Sequence, residues 1–205
     1  MSLSDFSANI IQSIRSTSVV EAIAIITALV YVVLATLENS WCWIFGIVSA
    51  ALYIKINYDA KIYLESWLSL YYVVIGIYGW YVWIIGKTKK DSGAVLHRIK
   101  TFHLILSIAT GIAGTIILGM LSDRFTDSPI PYFDGALASF SLVATFLTTR
   151  KILENWIFWI IIDAAYVIIY IMRSLPSTSI LFLIYTFIAV FGFIKWRKNL
   201  KASIA

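Results

Sequence analysis

The sequence predicts an all-α membrane protein, with seven transmembrane helices arranged as 3+1+3 parallel repeats. Three observations carry that expectation. The 205 residues are 60% hydrophobic and 13% charged, whereas a soluble domain averages roughly 45–50% apolar and about 25% charged residues. Seven apolar runs each approach the roughly 20 residues that a helix needs to cross a lipid core. Two pairs of those runs carry related sequence. A water-soluble core of this length has no room for so much apolar surface, so lipid is the expected solvent.

The runs fall at 19–37, 41–58, 67–86, 101–121, 132–149, 155–172 and 178–194. Their apolarity is continuous and not alternating, which makes them helices and excludes an outer-membrane barrel. Pro129, Pro131 and Pro176 all lie between runs, where a helix break costs little. Residues 1–18 lack a basic stretch and a small-residue cleavage site, and read as a short interfacial segment, not a signal peptide. The expected division is therefore 1–18, a first triple-helix bundle at 19–86, a basic connector and linker helix at 87–121, a second triple-helix bundle at 132–196 and a cytoplasmic tail at 197–205.

Orientation follows from the basic residues. Arg15, Lys55, Lys61, Arg124 and Arg173 share the side of the N-terminus. Lys87, Lys89, Lys90, Arg98, Lys100, Arg150, Lys151, Lys195, Arg197, Lys198 and Lys201 share the other. The N-terminus is expected outside and the C-terminus in the cytoplasm. The net charge of +5 is accounted for by topology and calls for no nucleic-acid partner. The single cysteine, Cys42, excludes an intrachain disulfide.

Internal repetition is the next signal. "LENSWCWIFG" at 37–46 and "LENWIFWIII" at 153–162 share Leu-Glu-Asn and a Trp four residues later. Trp43-x2-Gly46-x5-Leu52-Tyr53 parallels Trp159-x3-Asp163-x5-Ile169-Tyr170, with one extra residue in the second copy. Tyr72-x6-Gly79-x3-Trp83 recurs as Tyr185-x6-Gly192-x3-Trp196. The copies cover spans one to three and five to seven, with span four as a connector. Because one helix separates them, the copies run in the same direction, which is a transporter plan.

At about 100° per residue, Trp156, Trp159, Asp163 and Tyr170 fall within roughly a 60° arc of span six. Asn39, Trp43, Gly46, Ala50, Tyr53 and Asn57 share one face of span two. Glu65, Ser69, Tyr72, Gly76, Gly79 and Trp83 share one face of span three. A carboxylate in the middle of span six is costly against lipid, so Asp163 is expected to face the interior, paired or in a watered cavity. Neighbouring indoles offer flat π faces. That combination suits a planar, cationic or electron-poor heterocycle, and a carboxylate acceptor suits sugar hydroxyls equally.

Other features read more plainly. Trp67, Trp80, Trp83 and Trp196 read as an interfacial aromatic belt. Glu38-Asn39 and Glu154-Asn155 read as helix-start caps, with a substrate role for Asn39 as the lesser reading. Gly76 and Gly79 permit close helix packing. His97 and His103 read as incidental, and the Lys87–Lys100 segment as ordinary cytoplasmic charge. No motif for metal binding, nucleophilic catalysis or phosphate cradling appears, so no metal, cofactor or enzymatic activity is expected.

Seven spans in a 3+1+3 plan with W-x2-G-x5-L-Y and W-x2-W-x3-D-x5-[IL]-Y resemble the PnuC family of bacterial vitamin transporters, relatives of the SWEET sugar transporters. The resemblance runs from about residue 19 to 196, and the "YGWYVW" run at 78–83 adds to it. It implies facilitated diffusion across the bacterial inner membrane, a central site between two triple-helix bundles, and a homotrimer in at least some members. By motif position it carries over Trp156, Trp159, Asp163 and Tyr170 from the second half, and Trp43, Gly46 and Tyr53 from the first. Two positions depart from the pattern: Ser40 stands where the first motif usually has Trp, and no Gln lies on span three.

The expected function is import of nicotinamide riboside. Thiamine is the alternative within the same family, riboflavin a more distant one, and a proton-coupled symporter the rival mechanism. The expected substrate-binding residues are Trp156, Trp159, Asp163, Trp43, Tyr53, Tyr72, Ser69, Tyr170 and Asn39.

Overall fold

The structure, a computed structural model, describes residues 17–59, 63–88, 95–173 and 175–204. The expected interfacial segment lies outside the described residues, apart from its last two. Among the described residues seven helices follow one another: α1 Val19–Thr36, α2 Cys42–Asp59, α3 Tyr63–Thr88, α4 Thr101–Phe125, α5 Pro131–Thr149, α6 Asn155–Met172 and α7 Pro176–Ile204. The all-helical class and the number of long helices match the sequence reading.

Five of them, α1, α3, α4, α6 and α7, are long and apolar enough to cross a membrane by themselves. The shortfall in α5 has a physical reason. It packs against α3, α4 and α6, and ten of its residues are buried, among them Ser139, Ser141, Thr145, Thr148 and Thr149. A helix shielded from lipid on three sides can carry hydroxyls, provided they are satisfied. Thr145 and Thr148 donate to the carbonyls of Ser141 and Ala144 one turn earlier.

The helices close into a ring. α1 packs on α2, α2 on α3, α3 on α5, α5 on α6, α6 on α7, and α7 returns to α1. α4 stands outside, against α5, with most of its surface apolar and exposed.

Local chemistry sets the helix ends. Ser18 caps α1 by accepting the Glu21 N–H at 3.2 Å. Pro131 opens α5, where its missing N–H is no loss. α1 and α5 end in the same turn. Glu38 N–H bonds Ala35 O and Asn39 N–H bonds Leu34 O; Lys151 N–H bonds Thr148 O and Ile152 N–H bonds Leu147 O. This is a Schellman closure with a left-handed residue, usually Gly. Here Glu38 (φ 53°) and Lys151 (φ 52°) occupy it, at about 1–2 kcal/mol each relative to an ordinary backbone. The residues set apart as a tail continue α7 instead: the basic residues after Lys195 are good helix formers, and Leu200 is buried.

The main core gathers at this end, around Trp43, Trp83, Trp156 and Trp196. Trp43 meets Trp83 edge-on at 5.5 Å and 89°, and Trp156 meets Trp196 at 5.4 Å and 89°. Trp83 and Trp196 lie 6.1 Å apart. Glycine is required beneath two of these rings. A Cβ on Gly79 would sit 2.6 Å from the Trp43 ring, and one on Gly192 2.8 Å from Trp156.

Gly79→Val and Gly192→Val are therefore expected to destabilise the protein by about 1–3 kcal/mol through overpacking. Ile117→Val, on the exposed face of α4, should change little. Thermal unfolding in detergent checks this; equal melting temperatures for all three would contradict the packing assigned to the glycines.

Candidate functional site

The ring encloses two adjoining cavities. The first, about 290 Å³, is lined by α1, α3, α5, α6 and α7, with Tyr31, Trp156, Trp159, Asp163, Phe182 and Tyr185 among its walls. The second, about 230 Å³, is lined by α1, α2, α3, α5 and α6, with Trp43, Ser49, Tyr53, Ser69, Thr145 and Trp159 among its walls. Ala28, Tyr31, Tyr72 and Trp159 belong to both. They form the partition of one divided chamber.

Asp163 lies in the first compartment, only 5% exposed. Among the described residues no donor or cation reaches its carboxyl group. A carboxylate facing lipid without a partner would be expensive. Here it faces a chamber.

Seven of the nine expected site residues line the chamber: Trp156, Trp159, Asp163, Trp43, Tyr53, Tyr72 and Ser69. Two lie elsewhere. Asn39 sits in the α1–α2 turn, its side-chain oxygen accepting the Trp41 N–H at 3.1 Å. Tyr170 stacks with Tyr166 and Phe182 at 5.9 and 5.3 Å, near the far end of α6. Asn155 does not cap α6; it is fully buried, accepts from Thr148 and donates to Ile152 O. Trp83 and Trp196 are no interfacial belt, being 1% and 0% exposed, while Trp67 at 69% fits that reading.

Several chamber residues went unread. Tyr185 carried a signal, since it matches Tyr72 in the repeated pattern. Tyr31, Ser49 and Thr145 carried none, because each is a lone polar group in a run without a motif.

Comparison with known proteins decides the family. The family model for nicotinamide mononucleotide transporters matches residues 18–198. The chain belongs to this family. It is a family of membrane transporters, not enzymes. The protein is 25% identical over 201 residues to the nicotinamide riboside transporter PnuC of Escherichia coli (strain K12), covering 86% of this chain and 84% of that one. Similarity to the PnuC of Neisseria mucosa is also 25%, over 88% and 72% of the two chains. The riboflavin/roseoflavin transporter RibM of Streptomyces davaonensis is 25% identical over 60% of this chain and 59% of its own. The fold is shared with the crystal structure of the vitamin B3 transporter PnuC, at a TM-score of 0.72 and 21% identity, over 96% of this chain and 88% of that one.

For a transporter the closures of the chamber matter as much as its walls. At the basic end, Trp196 Nε1 donates to Ala35 O at 3.2 Å, and Trp83 Nε1 donates to Thr148 O and Thr149 O at 3.3 and 3.1 Å. Each bond joins one of the first three helices to one of the last three. The two left-handed residues add a third tie: Lys151 Nζ lies 3.3 Å from Glu38 Oε2 and 4.7 Å from the Trp83 ring centre. Asn199 Nδ2 donates to Glu38 Oε1 at 2.8 Å. Arg98 and the Ile99 N–H bind Glu154 at 2.9 and 2.8 Å, so the connector ahead of α4 is docked here and is not merely solvated charge.

Lys151→Met removes the ion pair and the cation–π contact together. Cys42, fully buried in the same core, reports on the result. Its reaction with a maleimide is expected to speed up by roughly tenfold, corresponding to about 1.4 kcal/mol. An unchanged rate in a folded variant would show that this tie does not hold the end shut.

Proposed function

We propose that the protein imports nicotinamide riboside by facilitated diffusion through the divided chamber. The observation that carries the reading is Asp163: a deep carboxylate with no partner among the described residues, beside Trp159, Tyr31, Tyr72 and Tyr185. A cationic pyridinium ring between these aromatic walls gains cation–π attraction and charge pairing together. The relatives named as nicotinamide riboside transporters cover most of the chain, whereas the riboflavin transporter covers three-fifths of it.

In this reading Asp163 anchors the ring or the ribose, and Trp159 presents a face to the heterocycle from the partition. Ser69, Tyr53 and Trp43 lie on the sugar side. The two trios, 19–86 and 132–196, act as parallel repeats that rock about the chamber. Supporting the repeat, the Schellman turns, the edge-on indole pairs and the indole-to-carbonyl bonds all recur at the spacing of Glu38 and Lys151, which is 113 residues. That spacing pairs Trp43 with Trp156, where the sequence pattern paired it with Trp159.

The excess of basic residues puts the tryptophan end in the cytoplasm, with the N-terminus outside, so the conformation is closed inward. Import then requires the Glu38–Lys151 tie to open.

Counterflow into liposomes holding the purified protein tests this, with nicotinamide riboside, thiamine and riboflavin in parallel. Labelled nicotinamide riboside should accumulate against its unlabelled form without an ion gradient, and an imposed pH gradient should not accelerate it. Asp163→Asn should weaken binding by about 1.5–3 kcal/mol, as for loss of a charged hydrogen bond. Counterflow of thiamine alone, or dependence on the pH gradient, would overturn the substrate or the mechanism.

A further inference from the structure

Two indole N–H groups on chamber-lining residues have no hydrogen-bond partner among the described residues, and they are matched. Trp43 and Trp156 are 1% and 2% exposed, and the Nε1 of each is buried without a hydrogen-bond acceptor among the described residues. An unmade hydrogen bond of this kind is costly. The fold does satisfy its other deep indoles: Trp83 and Trp196, in the same cluster, both donate to carbonyls. Each unpaired indole lines a different compartment, Trp156 the first and Trp43 the second.

We propose that Trp43 and Trp156 hold the transported molecule through their N–H groups, as two separated hydrogen-bond donors, and not by stacking. Their faces are largely taken. Trp43 has Gly79 against its ring and the edge-on Trp83 5.5 Å away; Trp156 has Gly192 and the edge-on Trp196 5.4 Å away. Stacking falls to Trp159, which is half-buried and borders both compartments.

The other polar groups make these two donors distinctive. Ser49, Ser69 and Thr145 spend their hydroxyl hydrogens on the carbonyls of Ala24, Glu65 and Ser141, so none has a hydrogen left to donate to the chamber, and Ser69 also accepts from Asn57 Nδ2 at 3.3 Å. Asp163, ionised, is an acceptor alone. Tyrosine hydroxyls can serve either way. The indoles of Trp43 and Trp156 are thus the buried fixed donors, one in each compartment of a chamber otherwise rich in acceptors.

A ligand that fits carries an acceptor at each end and positive charge or hydroxyl hydrogens between them. This rests on the nicotinamide riboside reading and deepens it. The carboxamide oxygen meets Trp156 in the compartment of Asp163 and the aromatic rings, and a ribose oxygen meets Trp43 in the compartment of Ser49, Ser69 and Thr145.

The test titrates ¹⁵N-indole-labelled protein in detergent with nicotinamide riboside and with ribosylpyridinium, which lacks the carboxamide. Eight indole signals are present, and those of Trp43 and Trp156 are identified by their loss in Trp43→Phe and Trp156→Phe. Nicotinamide riboside should move both signals downfield and slow their exchange with solvent; ribosylpyridinium should move only that of Trp43. By calorimetry, Trp156→Phe should weaken nicotinamide riboside about tenfold, the loss of one neutral hydrogen bond, and change ribosylpyridinium by less than about twofold. If a variant fails to fold, the wild-type titration still decides, since two indole protons must gain protection together. Binding of nicotinamide riboside with no protected indole, or equal losses for both ligands in Trp156→Phe, overturns the donor assignment and leaves the substrate reading standing. Absence of nicotinamide riboside binding to the wild type overturns both.

Discussion

The ends of α1 and α5 pose the constraint on which the architecture turns. The last carbonyls of a helix lack partners within it, and in a membrane core each unsatisfied group costs several kcal/mol. Here the Schellman turns already bond Ala35 O and Thr148 O, and an indole from the other set of three helices adds a second donor to each, Trp196 to Ala35 and Trp83 to Thr148, with Trp83 also reaching Thr149 O. A requirement of local backbone chemistry thus becomes a bond between the trios. It joins them at one end while leaving the space above the indoles unfilled.

That space is where the other features acquire meaning. Trp43 and Trp156 form its floor because Gly79 and Gly192 let the third helix of each trio approach their rings. Above the floor, Tyr31, Tyr72 and Trp159 divide the chamber, and Asp163 stands in one compartment. A buried carboxylate without a partner is a poor stabiliser and a good ligand site. The left-handed turns at Glu38 and Lys151 follow the same logic. Backbone strain of this kind persists where surrounding structure over-determines it, and here it aims two opposite charges at each other across the closed end.

Much of this was legible in the residues. Continuous apolar runs determined the helices to within a few positions, because lipid accepts little else, except that α7 runs ten residues further, to Ile204. One aspartate amid indoles pointed to the interior site, and helical periodicity gathered seven of the nine expected residues onto the chamber. What escaped depends on long-range geometry. Trp83 and Trp196 have the flanks of belt tryptophans, and only the ring closure reveals that they face carbonyls of other helices. The shared Leu-Glu-Asn drew the repeat of α2 and α6 three residues out of step. In Leu37-Glu38-Asn39 the motif follows the end of α1, while in Leu153-Glu154-Asn155 it meets the start of α6. Tyr31 was invisible because one hydroxyl in an apolar run is compatible with any face.

An experimental structure with nicotinamide riboside bound tests the central claim most directly. The account predicts ligand inside the ring, its heterocycle against Trp159 within contact of Asp163, and its ribose toward Ser49 and Ser69. Ligand found outside the ring, in the apolar groove that Leu104 and Ile108 of α4, Phe140 of α5 and Ile161 of α6 line, with the chamber filled by water alone, would contradict it.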